Sequence, residues 1–315
     1  MSQAVGEGST YIEPGWLDRF AELWESLGPE TRTALLDLLP EDFSFDGSRV
    51  MDFGCGAGRT LRHFKSEAER AEIWGVDIDG PSIELLRETV SPPFHLTQSG
   101  YWPPLDLPDD SFELIWSISV FTHLTDNSIP WLLELHRLLK PGALLIATYM
   151  GRWTSELLAH EPWDEDRVGM NVLRHNHPAS DGGPLVMMSD WWVQEHWGRL
   201  FEVVRIAPQI HNQSWAVLRK REVSLTVEDV ARPGDDPREC VALRHNLRQV
   251  QRELEVLKEK AAQEVAALER QRDQQLAALR AQAAQLQRAY EESLSWRLTR
   301  PLRAMRGRLR ASRAQ

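Results

Sequence analysis

The sequence predicts an α/β domain on a largely parallel sheet, followed by one long C-terminal helix. Three observations carry this. Short β-branched or apolar runs alternate with helical periodicity from Arg49 to Lys220, a glycine-rich turn follows the first run, and no Gly or Pro interrupts residues 238–292. A chain of 315 residues makes one large or two ordinary domains and buries a core without disulfides. With 42% hydrophobic and 26% charged residues, no apolar run approaches the roughly 18–20 residues of a membrane span, which excludes a transmembrane helix. Cys55 and Cys240 are too few for a disulfide framework or a cysteine zinc site. The opening Met1–Gly8 has neither a basic start nor an apolar stretch, so a cytosolic chain is expected.

Two helices, Trp16–Ser26 and Pro29–Leu38, are expected as a cap over residues 1–45. Seven strands follow: Arg49–Phe53, Glu72–Asp77, Phe94–Gln98, Phe112–Val120, Ala143–Tyr149, Glu202–Ala207 and Ser214–Leu218. Helices are expected after Gly58, after Gly80, across Ser128–Lys140 and across Ser189–Leu200, with Lys140-Pro141-Gly142 as a stop signal. Met150–Met188 is rich in Gly, Pro, His and Trp and lacks periodicity, so it reads as a substrate-side insert in a domain spanning 46–221. Residues 222–237, acidic and containing Pro and Gly, read as a linker.

Val50-Met51-Asp52-Phe53-Gly54-Cys55-Gly56-Ala57-Gly58 is a strand running into a glycine turn. Glycines there let the backbone take positive φ and let a ligand lie against bare main chain. The spacing is Gly-x-Gly-x-Gly, not the dinucleotide Gly-x-Gly-x-x-Gly, and Asp52 two residues earlier would repel a pyrophosphate. A carboxylate suits a ligand with an amino group and a sulfonium; opposite charges in close contact are worth about 4 kcal/mol at an effective dielectric near 20. Gly75-Val76-Asp77-Ile78-Asp79 ends the second strand, where an acid reaches ribose hydroxyls and Ile78 lies beside the base. Each signal also has a structural reading, as a plain turn or a helix cap.

Together these residues resemble a class I S-adenosylmethionine-dependent methyltransferase. Asp52–Gly58 is similar to the family's first motif, Asp77 to its ribose-binding acid, Leu107–Glu113 to the approach to the fourth strand, and Leu138–Gly142 to the turn before the fifth. The resemblance covers roughly residues 45–220 and implies a Rossmann-like seven-stranded sheet with helices on both faces. It implies S-adenosyl-L-methionine as cofactor, held by Asp52, Phe53, Gly54, Cys55, Gly56, Gly58, Asp77, Ile78, Ser99 and Ser117. Members usually carry Asp or Asn at the adenine edge. Here the position is Ser99, leaving that contact to Ser99, Gln98 or backbone.

Methyl transfer depends mainly on positioning, and a hydroxyl acceptor also needs its proton removed. His123, just past the fourth strand, is the candidate base or else packs the following helix. Tyr149, Trp153, His160, Trp191 and Trp192 are substrate-side candidates, with the aromatic faces serving either to stack on sugars or to anchor their helix. His175-Asn176-His177 lacks a matched third ligand, and no metal is expected.

Residues 238–315 hold 17 Lys+Arg against 9 Asp+Glu, a net of +8, and residues 1–237 hold 19 against 38, a net of −19. Leu243, Leu247, Val250, Leu254, Leu257 and Ala261 follow coiled-coil spacing, and the seam resumes at Val265 and runs to Tyr290. One helix of about 55 residues, about 80 Å at 1.5 Å per residue, is expected, with homo-oligomerisation through 238–293 or, given the weak Ala and Arg272 seam positions, a lone solvated helix as the alternative. Residues 297–313 hold seven arginines and no acid, with Leu298, Leu302, Met305 and Leu309 on one face. Residues 296–313 are therefore expected on an anionic membrane surface rather than on nucleic acid, the alternative being a solvated or protein-bound tail.

The Ser-Trp-Arg-Leu-Thr string at 295–299 resembles the tail of many bacterial glycosyltransferases and methyltransferases of surface-polysaccharide assembly. That implies a cytoplasmic enzyme tethered at the inner face of the membrane, with an acceptor hydroxyl or phosphate on a glycan or lipid-linked glycan. The alternatives are a small-molecule or lipid methyltransferase, or a scaffold with a vestigial cofactor domain.

Overall fold

The computed structural model describes residues 16–157, 162–173 and 183–311 and divides into two compact units, one ending at Arg248 and one beginning at Gln249. In the first unit α1 (Trp16–Leu38) leads to β1 (Arg49–Phe53), β2 (Glu72–Asp77), α2 (Gly80–Thr89), β3 (His95–Gln98), β4 (Phe112–Ser117), α3 (Ser128–Leu138) and β5 (Leu139–Tyr149). Next come α4 (Arg152–Leu157), β6 (Met170–Leu173), β7 (Leu185–Met188), α5 (Asp190–His196), β8 (Phe201–Ile210), β9 (Gln213–Lys220) and α6 (Val227–Ala231). Helix α7 (Pro237–Glu292) begins in the first unit and continues in the second, where α8 (Leu294–Ala311) follows.

The main sheet has seven strands in the order β3-β2-β1-β4-β5-β9-β8, parallel through β5, with β9 antiparallel to both neighbours. Its central strands are buried on both faces, which is why they read as unbroken apolar runs. Alternation assigns Met51, Ile115 and Leu145 to a core shared with α3 and α5, and Val50, Leu114 and Ile146 to a core shared with α1 and α2. The order reverses between β1 and β4, and their carboxyl ends open the crevice where α/β sheets bind ligands.

Four expectations are corrected. The two cap helices are one helix through Pro29, because buried Thr31, Leu35 and Leu38 beyond the proline outweigh one lost backbone bond. After Gly58 the chain makes only two short 3-10 turns, Leu61–Phe64 and Glu67–Glu69, while the Arg62 side chain donates to the Gly58 and Ala57 carbonyls. The insert carries α4 and an antiparallel β6–β7 hairpin whose strands of four residues each are too short to show periodicity. Residues 222–237 contain α6, closed by a Thr226–Asp229 capping box, and bury Val230 in the core. The first turns of α7 also belong to this domain: buried Glu239 accepts from His196 Nε2 at 3.0 Å, and Asn246 Nδ2 donates to the Met170 carbonyl at 2.6 Å.

The expected long helix is present, and its seam leucines are exposed. No helix among the described residues is long and apolar enough to cross a membrane.

Candidate active site

The turn after β1 is held from beneath: Gly54 N and Cys55 N donate to the Val76 carbonyl at 2.7 and 3.1 Å. Gly54 has φ +82°, and a Cβ there would overlap Val120 Cγ2, so the loop after β4 packs directly onto bare backbone. Gly56, at φ +51°, faces open space on its Cβ side, a cradle that any other residue would fill.

Asp52 is 2% exposed and its Oδ2 finds no hydrogen-bond partner among the described residues. Burial raises its carboxyl to about 7, opposed by the Trp116 indole N–H, with the negative charge of Asp77 adding to the rise and the Arg59 guanidinium working against it. A buried acceptor of this kind fits a cationic ligand group, whose arrival would ionise it. Asp77 takes the Gly56 N–H on Oδ2 at 2.6 Å and the Asp79 N–H on Oδ1 at 2.8 Å, which orients the carboxylate and leaves a lone pair on each oxygen for hydroxyl donors. The helix-cap role falls to Asp79, whose Oδ2 accepts from Ser82 N at 3.2 Å. Ile78 is 52% exposed beside it. Ser99 N donates to the Asp77 carbonyl at 2.8 Å, and Gln98 Nε2 donates to the Ile78 carbonyl at 3.1 Å, which fixes both residues at this edge.

Ser117 ends β4, one residue past the Asp52–Trp116 register, and its buried Oγ also lacks a partner among the described residues. The side chains of Phe53 and Cys55 do not face the crevice. Phe53 packs 4.8 Å from Trp131, and Cys55 joins the α1–α2 core, where burial pushes its thiol up, so both offer only main chain.

On the acceptor side, His123 is exposed, and its Nδ1 lies 2.9 Å from the Pro184 carbonyl beside β7. A carbonyl only accepts, so Nδ1 carries the hydrogen there and a neutral ring keeps its lone pair on Nε2, the requirement for a base. Val186 N donates to the Thr122 carbonyl, locking this loop to the hairpin.

Three substrate-side candidates are corrected. Tyr149 is fully buried and donates to Asp190 Oδ1 at 2.5 Å; burial and then Asp190 raise its phenol. Trp191 donates to the Glu165 carbonyl under the Arg238 guanidinium, and Trp192 stacks on His196 at 4.3 Å. All three anchor the core: Trp191 and Trp192 lie on α5, which covers the sheet, and Tyr149 at the end of β5 holds the start of that helix through Asp190. Trp153 remains exposed. His160, His175 and His177 lie outside the described residues, and among those described no group of three His, Cys, Asp or Glu is disposed for a metal.

Several residues at the site escape a reading of the sequence. Exposed Tyr101 and Trp102 form an edge-to-face pair just after Ser99, a signal visible as adjacent aromatics next to a motif. Arg59, Ser119, His211 and Gln213 line a cleft of about 160 Å³ with Thr31 and Trp215. Ser119 has φ +62°, donates its N–H to Thr148 Oγ1, and accepts from Gln213 Nε2 at 2.9 Å. Gln213 lies 94 residues away in sequence, so no local pattern could reveal it. A wider groove of about 820 Å³ lies at the opposite, amino-terminal edge of the strands, where Glu134, Arg137 and Lys220 are consumed in ion pairs.

Residues 50–142 match a protein family described as "Methyltransferase domain". A 2-methyl-6-phytyl-1,4-hydroquinone methyltransferase from Synechocystis sp. is 26% identical over 153 residues, 46% of this chain and 43% of the relative. Methyltransferase GfsG of Streptomyces halstedii is 29% identical over 121 residues, 36% and 42% of the respective chains. The chain thus spans less than half the length of these curated relatives. An S-adenosylmethionine-dependent methyltransferase from Mesorhizobium loti superposes with a TM-score of 0.45 at 16% identity, covering 60% of this chain and 96% of that one. Residues 50–142 thus match a methyltransferase domain, and the glycine cradle, the orphaned Asp52 oxygen and the oriented Asp77 fit an aminoacyl sulfonium nucleoside such as S-adenosyl-L-methionine.

Proposed function

We propose that the chain methylates a hydroxyl on a lipid-linked or surface glycan at a membrane face. The observation that carries the hydroxyl is the His123 Nδ1–Pro184 contact, which keeps Nε2 as the basic nitrogen one loop away from the glycine turn. S-adenosyl-L-methionine supplies an electrophilic methyl group when bound. Asp52 would pair with its ammonium, Asp77 would accept from its ribose hydroxyls, and Ser99 would meet the adenine edge. His123 Nε2 would take the acceptor's proton.

Exposed Tyr101, Trp102 and Trp153 support a sugar acceptor, since flat faces bind pyranose rings. Support for the membrane comes from α8, whose Leu298, Leu302 and Met305 are at least 64% exposed in an arginine-rich helix. A small-molecule acceptor is the second reading, favoured by the relative named for a hydroquinone.

Methyl-labelled cofactor, full-length protein and extracted lipid-linked glycans should yield label in the glycan fraction, read by mass spectrometry. Label only in quinones or small metabolites would replace the glycan reading by the second one. An Asp77→Ala variant should bind the cofactor roughly 10- to 100-fold more weakly, the loss of one or two charge-assisted hydrogen bonds. Unchanged binding would overturn the cofactor assignment. Removing residues 249–315 should leave cofactor binding intact and abolish sedimentation with anionic vesicles. A scaffold would lose all function.

A further inference from the structure

The start of α7 has two faces with different fates. Glu239, Ala242 and Asn246 face the catalytic domain: Glu239 accepts from buried His196, Ala242 is 3% exposed, and Asn246 holds the Met170 carbonyl. The neighbouring stripe, Cys240, Leu243, Leu247 and then Val250, Leu254 and Leu257, stays open to solvent, with each of the five apolar residues at least 42% exposed. The spacing assigns Cys240, Leu247 and Leu254 to heptad position a and Leu243, Val250 and Leu257 to position d. Domain docking therefore uses the c and g side of the helix and leaves the a/d seam uncovered from its first layer. Exposed leucines and valines repeated over this length are what monomers avoid.

We propose that this seam pairs with the seam of a second copy of the chain, in parallel and in register, forming a two-stranded coiled coil. Charge complementarity selects the partner and its direction. Glu253 falls at g and Lys258 at the following e, so parallel strands in register bring Glu253 of each chain to Lys258 of the other, twice per dimer. Two further features of the sequence agree with a self-pairing. The heptads skip by four residues at Ala261–Val265 and Arg272–Leu276, and an in-register parallel partner places both discontinuities opposite themselves. Arg272 occupies a seam position, where a two-stranded coil lets a long cation reach solvent and a wider bundle would bury it. Chain order alone then gives the dimer two methyltransferase domains, each joined to the amino-terminal end of the same coil.

The test uses the full chain in solution and does not depend on methyl transfer or on the acceptor. Sedimentation equilibrium at micromolar concentration should return twice the chain mass. Leu254→Arg with Leu257→Arg should return a single chain mass while thermal unfolding of the domain and cofactor binding stay unchanged, since both residues are exposed in the monomer. A Leu254→Cys variant in a Cys240→Ser background should form an interchain disulfide under copper–phenanthroline and oxygen, two thiols giving up two protons and two electrons. Buried Cys55 should stay reduced. A monomer or trimer mass for the wild type, a double-arginine variant that remains dimeric, or a dimeric Leu254→Cys variant whose introduced thiols fail to cross-link would each overturn the proposal.

Discussion

The two halves of the site are built from different material. On the side proposed for the cofactor, almost every candidate group is main chain or a carboxylate within 28 residues of sequence, Asp52 to Asp79, locked by β1–β2 pairing. The acceptor side is assembled from segments far apart, with His123 fixed by Pro184 and Ser119 by Gln213. A ligand common to many enzymes can be held by backbone geometry, which tolerates sequence change. An acceptor specific to one enzyme needs side chains, and those come from wherever the fold brings them.

Replacing Gly54 breaks the cofactor half most directly. Gly54→Ala drives a methyl group into Val120 Cγ2 from a left-handed backbone conformation, and cofactor binding by calorimetry should fall below detection. Retained binding would mean that the turn and the β4 loop are not coupled. His123→Ala addresses the other half: kcat for a hydroxyl acceptor should drop by about 10²–10⁴-fold with cofactor affinity unchanged. A loss of cofactor affinity there would erase the division between the halves.

Asp52 sharpens the comparison through pH. Its folded value near 7 exceeds the unfolded value near 4, so its stabilising contribution in the cofactor-free chain is full below about pH 4 and is lost as pH rises through about 7. Asp52→Asn should therefore gain stability over wild type progressively between those values, by a few kcal/mol at most, as read from denaturant midpoints across pH. Wild-type cofactor binding below pH 7 should release a proton to buffer, and the variant should not. The smallest effect concerns the rim: Trp102→Ala should raise the acceptor KM several-fold with the unfolding temperature unchanged. Trp192→Ala, by contrast, should cost about 3–5 kcal/mol of stability as a core truncation.

Legibility along the chain follows the same division. The central strands are readable because parallel strands buried on both faces are unbroken apolar runs, and the motif turn because positive φ and open space demand glycine. Residues 222–237 looked like a linker by composition, yet Val230 fills a core site and Arg199 donates to the carbonyls of Asp229, Val230 and Arg232. Acidic Pro/Gly composition marks exposure of most residues and is blind to one apolar plug. The same limit applies to Tyr149, Trp191 and Trp192, since an aromatic residue near a site has the same letter whether it faces ligand or core.

The sequence by itself determined the central sheet, the glycine turn after β1, the acid ending β2 and the uninterrupted C-terminal helix, because each is encoded in spacing over a few or a few tens of residues. Only the tertiary structure decided that Asp52 is buried with its Oδ2 unpartnered among the described residues, that Pro184 holds His123, that α5 turns its tryptophans inward, and that α7 starts inside the catalytic domain. Those outcomes depend on which distant segments meet, and burial energy summed over the whole core chooses among arrangements that local spacing leaves equal.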